Sequence, residues 1–289
     1  TINGKIKVAN LKIGGASEAN KLTVQGGASS EITLTSNQIP DPGTKKGYYL
    51  DVNTDIPIAN GYTYYVAESV LGNPNPKNWE HMSSTWKTNA ATTNWNTALN
   101  WMPEVVPAAG WPVIIPAGGT KYPKLTTNVS AKSVRLNGEL DLADYVINDT
   151  SNTAPLTNNG LLKMTGTAGS PTNQKDWLES SNTNDRITHI DGSKIEYYSN
   201  TNNSVWDGPY KNLILGENRA ILTANDLKVA GTLTVAFTAS NLVAINAATQ
   251  TYDGHINLQK NTTFSSTGAN GTMFNGSISA SGIDIGFSG

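Results

Sequence analysis

Five of the seven tryptophans, Trp79, Trp86, Trp95, Trp101 and Trp111, fall between residues 79 and 111 of a 289-residue chain. Flat aromatic faces stack on sugar rings and on peptide side chains, so this cluster is the first candidate for ligand recognition. Trp86, Trp79 and Trp111 are the ligand-binding candidates. Trp86 comes first because its neighbours are polar and it stands outside the closer Trp95/Trp101 pair. Trp95 and Trp101 are expected to be structural, plugging one end of an apolar core.

Carboxylates are the second source of chemistry. Asp141 and Asp144 are close in sequence, and Asp185, Asp191 and Glu196 form a looser group. Glycoside hydrolysis needs two carboxyls about 5.5 Å apart for retention and more for inversion. Strand geometry brings i and i+2 to one face, and Asp141 and Asp144 are three apart, so no catalytic residue is assigned. Calcium is the one cofactor left open, through the turn residues Asp207, Asp226 and Asp253. The dense Gly-Asp repeat of calcium-binding solenoids is missing, however. His81, His189 and His255 have no metal-motif spacing, so no metal ligand is assigned. No G-x-S-x-G elbow marks a nucleophilic serine. The N-x-S/T triplets at Asn128, Asn148 and Asn261 arise readily by chance in a chain this rich in Asn and Thr.

The composition narrows the class of partner. Only 15% of residues are charged and the formal net charge is -2. No basic excess steers the chain to nucleic acid. There is no cysteine, which removes disulfides and thiolate metal sites. No apolar run reaches the roughly 18 residues of a membrane-spanning helix.

The elements that must position these residues are short strands. Ile6, Val8, Leu11, Ile13, Leu22, Val24, Ile32 and Leu34 alternate with polar residues, and Gly14-Gly15 and Gly26-Gly27 punctuate the runs. A short helical turn is expected at 97–101, stopped by Pro103 and Pro107. Prolines near residues 74–76 mark the edge of a β-rich N-terminal module, residues 1–80. A Trp-rich leading segment and then the repeats fill residues 81–289. In the last third a phrase recurs: Trp206-Asp207-Gly208, Tyr252-Asp253-Gly254 and Phe274-Asn275-Gly276. The spacings of 46 and 22 fit one period of about 22 with one copy blurred, and Trp206, Tyr252 and Phe274 are therefore taken as structural. The expected fold is all-β: a parallel, right-handed β-helix or β-solenoid whose inward residues include Leu213, Leu215, Leu227, Val229, Leu233 and Val235.

Four pieces of the chain carry a family resemblance. Ile195 to Tyr198 matches an x-V-x-Y-Y strand, Tyr210 to Leu215 a Y-x-N-L-x-L strand, and Leu227 to Val235 an L-x-V-x-G-T-L-x-V strand. Thr93 to Gly118 matches an N-W-x-x-x-x-N-W leading module ending in V-x-I-P-A-G, with Trp111 standing where an acidic residue commonly introduces the strand. Over about residues 86 to 289 the chain resembles the repetitive β-helices of haemagglutinin-like and autotransporter-adhesin-like bacterial surface proteins, of spirochaete or Bacteroidetes type. The resemblance implies a non-catalytic structural or adhesive module at the extracellular or outer-membrane surface. It implies a host or cell-surface glycan or protein as partner, with flanking domains in a larger polypeptide. A carbohydrate-binding module of a larger protein and a polysaccharide lyase or hydrolase are the alternatives.

Overall fold

Period-two alternation with glycine and asparagine turns should produce strands too short to stand alone. The computed structural model describes residues 5–8, 13–17, 20–26, 30–41, 44–53, 56–59, 62–67, 69–71, 78–148, 156–165, 187–198, 203–204, 210–216, 221–236, 243–259, 261–266 and 271–288. Within them the chain is all-β with parallel sheets. Among the described residues the helical element is a 3-10 turn, Ala98–Asn100, inside the stretch where a turn is expected. Trp206, Asp207, Gly208 and Asp185 lie outside the described residues.

Two compact units divide the chain. The first comprises Thr1–Ser83 and Ala108–Pro112. Its strands form small parallel sheets: Lys5–Val8 with Glu31–Leu34; Leu22–Val24, Leu50–Val52 and Val70–Leu71; Tyr64–Val66 with Trp79–His81. Val24, Ile32, Leu50, Val52, Ile58, Tyr64 and Trp79 build its core. The Tyr48 hydroxyl donates to the Ala109 carbonyl at 3.0 Å, tying the returning segment to this unit. The segment that carries Trp111 therefore groups with the first unit rather than with the Trp-rich leading segment.

The second unit, Ser84–Pro107 and Val113–Gly289, holds three larger sheets. In the seven-stranded sheet the order is Glu139–Asp141, Leu161–Met164, Lys194–Tyr197, Asn212–Leu215, Leu233–Val235, Ile256–Leu258 and Ile278–Ala280. Each strand pairs in parallel with the next, so one inward position recurs as Leu140, Leu162, Ile195, Leu213, Leu233 and Ile256. All six are buried, as are Leu215, Leu227, Val229 and Val235. Full burial of such a side chain is worth roughly 1.5–3 kcal/mol, so stacked strands supply the stability a lone strand lacks.

The register also defines the period. Tyr252 lies opposite Phe274, 22 residues on, and their rings stack at 5.3 Å and 11°. In the other direction Tyr252 lies opposite Val229, and Val229 opposite Tyr210. Tyr210 thus occupies the column two strands before Tyr252, the place the 46-residue spacing assigns to Trp206. The blurred copy is Val229-Ala230-Gly231. The shift arises because the connections differ in length: Tyr210 to Val229 spans 19 residues, and Val229 to Tyr252 spans 23.

Candidate functional site

The three tryptophans expected to contact ligand are buried. Trp79, Trp86 and Trp111 are each 1% exposed, which corrects their assignment as stacking platforms. Trp79 donates its indole N–H to the Ile56 carbonyl at 2.7 Å. Trp86 belongs to the strand Ser84–Trp86, whose side chains alternate in, out, in. Thr85 and Lys87, its adjacent residues, are polar because they point the other way. Its ring meets Trp101 edge-on at 5.0 Å, and its Nε1 donates to the Lys121 carbonyl at 2.8 Å. Trp95 and Trp101 are fully buried and meet at 4.7 Å, with Trp101 Nε1 donating to the Trp95 carbonyl.

A surface recess of about 390 Å³ lies beside this cluster, within the second unit. Its walls are Thr85, Lys87, Thr88, Asn89, Met102 and Pro116, with Trp86 beneath. Antiparallel pairing of Ser84–Trp86 with Trp101–Met102 sets Thr85 opposite Met102. Met102 is 64% exposed. The Lys87 ammonium is taken up by Glu104 at 2.6 Å. What remains is an apolar thioether and proline beside the neutral hydroxyls and amide of Thr85, Thr88 and Asn89. A sugar ring has the matching character, apolar on a face and hydroxylated at its edges, and the volume lies in the range of about 300–1,000 Å³ for small-ligand pockets.

A set of charges lies elsewhere, on the outward side of the seven-stranded sheet. Lys124, Asp141, Lys163 and Glu196 follow one another in register, so their signs alternate from strand to strand. Lys124 Nζ is 2.9 Å from Asp141 Oδ2, and Lys163 Nζ is 3.7 Å from both Glu139 Oε1 and Glu196 Oε2. The Tyr198 hydroxyl donates to Asp141 Oδ1 at 2.8 Å, with both ammonium groups over its ring at 5.6 and 5.7 Å. Burial, reinforced by Asp141, pushes the Tyr198 phenol well above its ordinary range, which keeps it a donor rather than a base. Burial also raises the Glu196 carboxyl, against the pull of Lys163. Glu139 and Glu196 lie no farther apart than twice 3.7 Å, a separation compatible with a hydrolase pair. The Lys163 ammonium occupies the space between them, where a glycosidic bond would have to sit. The four-residue ladder balances two ammonium groups against two carboxylates, with Glu139 as a further partner of Lys163, and suits a structural role.

Sequence spacing missed Glu139, Lys124, Lys163 and Tyr198. The available signal was a lone charge flanked by apolar residues, as in Leu140-Asp141-Leu142, Leu162-Lys163-Met164 and Ile195-Glu196-Tyr197. Asp144 does not join Asp141 as a pair; it accepts from the Thr165 hydroxyl. Asp191 pairs with Lys211 at 2.9 Å, which holds its carboxyl below the ordinary range.

The histidines stay apart. His189 Nδ1 lies 2.9 Å from the Ser193 hydroxyl, and burial, then Lys211, pulls its pKa down to about 4. His255 bridges Ser277 and Ser279 at 2.8 and 3.0 Å on an exposed face, so hydroxyls take both ring nitrogens. Asp253 accepts from Asn275 at 2.7 Å. Among the described residues no group of three His, Cys, Asp or Glu side chains is placed to hold a metal ion. Asn128 and Asn261 serve as bridges, accepting from the backbone N–H groups of Val146 and Asp284. No protein-family model, curated protein or solved structure matches this chain.

Proposed function

We propose that this chain is a non-catalytic segment of a bacterial cell-surface or secreted adhesin, built as a right-handed parallel β-helix. The observation that carries this reading is the run of in-register apolar columns, from Leu140 to Ile256 and from Tyr210 to Phe274. Such a stack is a rigid spacer, and it holds outward residues at fixed separations of about 4.8 Å per strand. The same reading follows from the resemblance of residues 86–289 to haemagglutinin-like and autotransporter-adhesin-like repeats. It places the protein outside the cell, joined to flanking domains, and gives it neither a nucleic-acid partner nor a cofactor. Calcium addition or chelation should leave the thermal midpoint unchanged.

The contact site in this reading is the recess of Thr85, Thr88, Asn89 and Met102, and its ligand is a neutral glycan of the host or of a cell surface. The same recess supports a second reading, a carbohydrate-binding module of a larger protein. A glycan array with the wild type, Met102→Ala and Asn89→Ala tests the site. Binding by the wild type that falls at least tenfold in both folded variants supports it; equal binding by all three moves the contact elsewhere. Incubation with polysaccharides, read by release of reducing or unsaturated ends, tests the absence of catalysis. Any turnover by the purified protein rejects the non-catalytic reading.

A further inference from the structure

The recess beside Trp86 has one ionisable wall. Thr85, Trp86, Thr88, Asn89, Met102 and Pro116 are neutral, so Lys87 alone sets the charge a ligand meets at the walls. Lys87 is tied down at both ends. Its backbone N–H donates to the Asn100 carbonyl at 2.8 Å, beside the paired strands Ser84–Trp86 and Trp101–Met102. Its ammonium donates to Glu104 Oε1 at 2.6 Å. The Lys87 side chain is 21% exposed and that of Glu104 57%. Glu104 is not itself a wall, so it acts on the recess only through Lys87. The nearest other cation in sequence on this side, Lys121, gives its carbonyl to the Trp86 indole N–H and its ammonium to the Ala91 carbonyl.

An N–H···O bond between ionised groups is among the strong ones, and it is shortest when the pair is well aligned. A sugar that carries a carboxylate therefore has two ways into the recess. It displaces Glu104 from Lys87, or it brings a second carboxylate to an ammonium already neutralised. Both oppose binding, and juxtaposed like charges are a recurring device for rejecting a wrong ligand. A neutral ring meets neither obstacle. We infer that Glu104 is a specificity-determining residue of the recess: by neutralising Lys87 it admits neutral sugars and turns away acidic ones. The inference rests on the reading of the recess as a glycan site. A largely exposed ion pair contributes little to folding, so the carboxylate of Glu104 is removable without unfolding the unit.

The test uses matched oligosaccharide pairs, each a neutral hexose oligomer and the same oligomer oxidised at C6 to its uronate, titrated by calorimetry into the full chain. The wild type should bind the neutral member at least tenfold more tightly than its uronate. Glu104→Gln should tighten the uronate at least tenfold and leave the neutral member within about twofold, with wild-type circular dichroism; Glu104→Ala should do the same. Adding Lys87→Gln to Glu104→Gln should abolish the gain. The gain should also shrink between about 0.05 and about 0.5 M salt, because it is an ammonium–carboxylate attraction open to solvent. Neutral binding by the wild type with no uronate gain in either Glu104 variant overturns the inference and leaves the glycan reading standing. A wild type that binds both members equally or prefers the uronate overturns it too, as does a gain that survives Lys87→Gln. Absence of binding to every member, by wild type and Glu104 variants alike, rejects the glycan reading of the recess and the inference with it.

Discussion

A methyl group added to Gly254 would collide with the carbonyl oxygen of Gly231, and one added to Gly276 with that of Gly254. These glycines close the recurring phrase because successive backbones touch there, leaving no space for a Cβ. Gly282 has positive φ, but nothing lies within 4 Å of its would-be Cβ. Gly254→Ala should therefore cost about 3 kcal/mol or more, and Gly282→Ala only about 1 kcal/mol, by denaturant titration. His189 offers a second single-residue test. Its pKa of about 4 lies below the ordinary 6.5, so acid protonates the unfolded chain first. Stability present above pH 6.5 should be lost as pH falls toward 4. His189→Gln should flatten that slope, read from unfolding midpoints across the window. Glu196 acts in the opposite sense, because burial raises its carboxyl pKa. Its ionisation in the folded state, as pH rises through that raised value, opposes folding.

At the scale of the strand, alternation decides which substitutions matter. Leu227 is buried and Lys228, the next residue, is exposed. Leu227→Ala should cost roughly 2 to 5 kcal/mol. Lys228→Ala should stay within about 0.5 kcal/mol of wild type. Equal losses would mean that the assigned strand faces are wrong. The outward charges test register rather than burial. Lys163 stands between Asp141 and Glu196 in the ladder, so Lys163→Glu would put three carboxylates on consecutive strands. The expected loss is about 1 to 2 kcal/mol, and much of it should return in 1 M salt, where the Debye length is about 3 Å. A loss insensitive to salt would assign Lys163 a packing role through its methylenes instead.

For the whole molecule, almost every strand finds its partner some 18 to 33 residues away, as Lys194 finds Asn212 and Leu161 finds Lys194. Closing such loops before any contact forms makes folding slow compared with helical bundles. Nearest-neighbour stacking also makes stability uneven. Interior strands gain from both sides and terminal ones from one. Amide exchange should be slowest in Lys194–Tyr197 and Asn212–Leu215 and fastest in Ile278–Ala280, whose side chains are all exposed. Uniform protection along the seven-stranded sheet would contradict that picture.

The sequence by itself determined the class of element and the faces of the strands, because period-two alternation and glycine turns are local properties. Leu213, Leu215, Leu227, Val229, Leu233 and Val235 were legible as inward residues for that reason. The 22-residue step from Tyr252 to Phe274 was legible too, since one regular connection separates them. The tertiary structure alone decided the next step back, to Val229 and Tyr210 rather than to Trp206, because connections of unequal length accumulate an offset that no local pattern records. It also decided the fate of the tryptophans. Whether Trp86 is a platform or a plug depends on Trp101 and Lys121, which its sequence neighbours do not reveal. The charge ladder of Lys124, Asp141, Lys163 and Glu196 and the recess beside Met102 escaped the sequence for the same physical reason. Each is assembled from residues many positions apart that meet only when strand pairing fixes their register, parallel for the ladder and antiparallel for Thr85 and Met102.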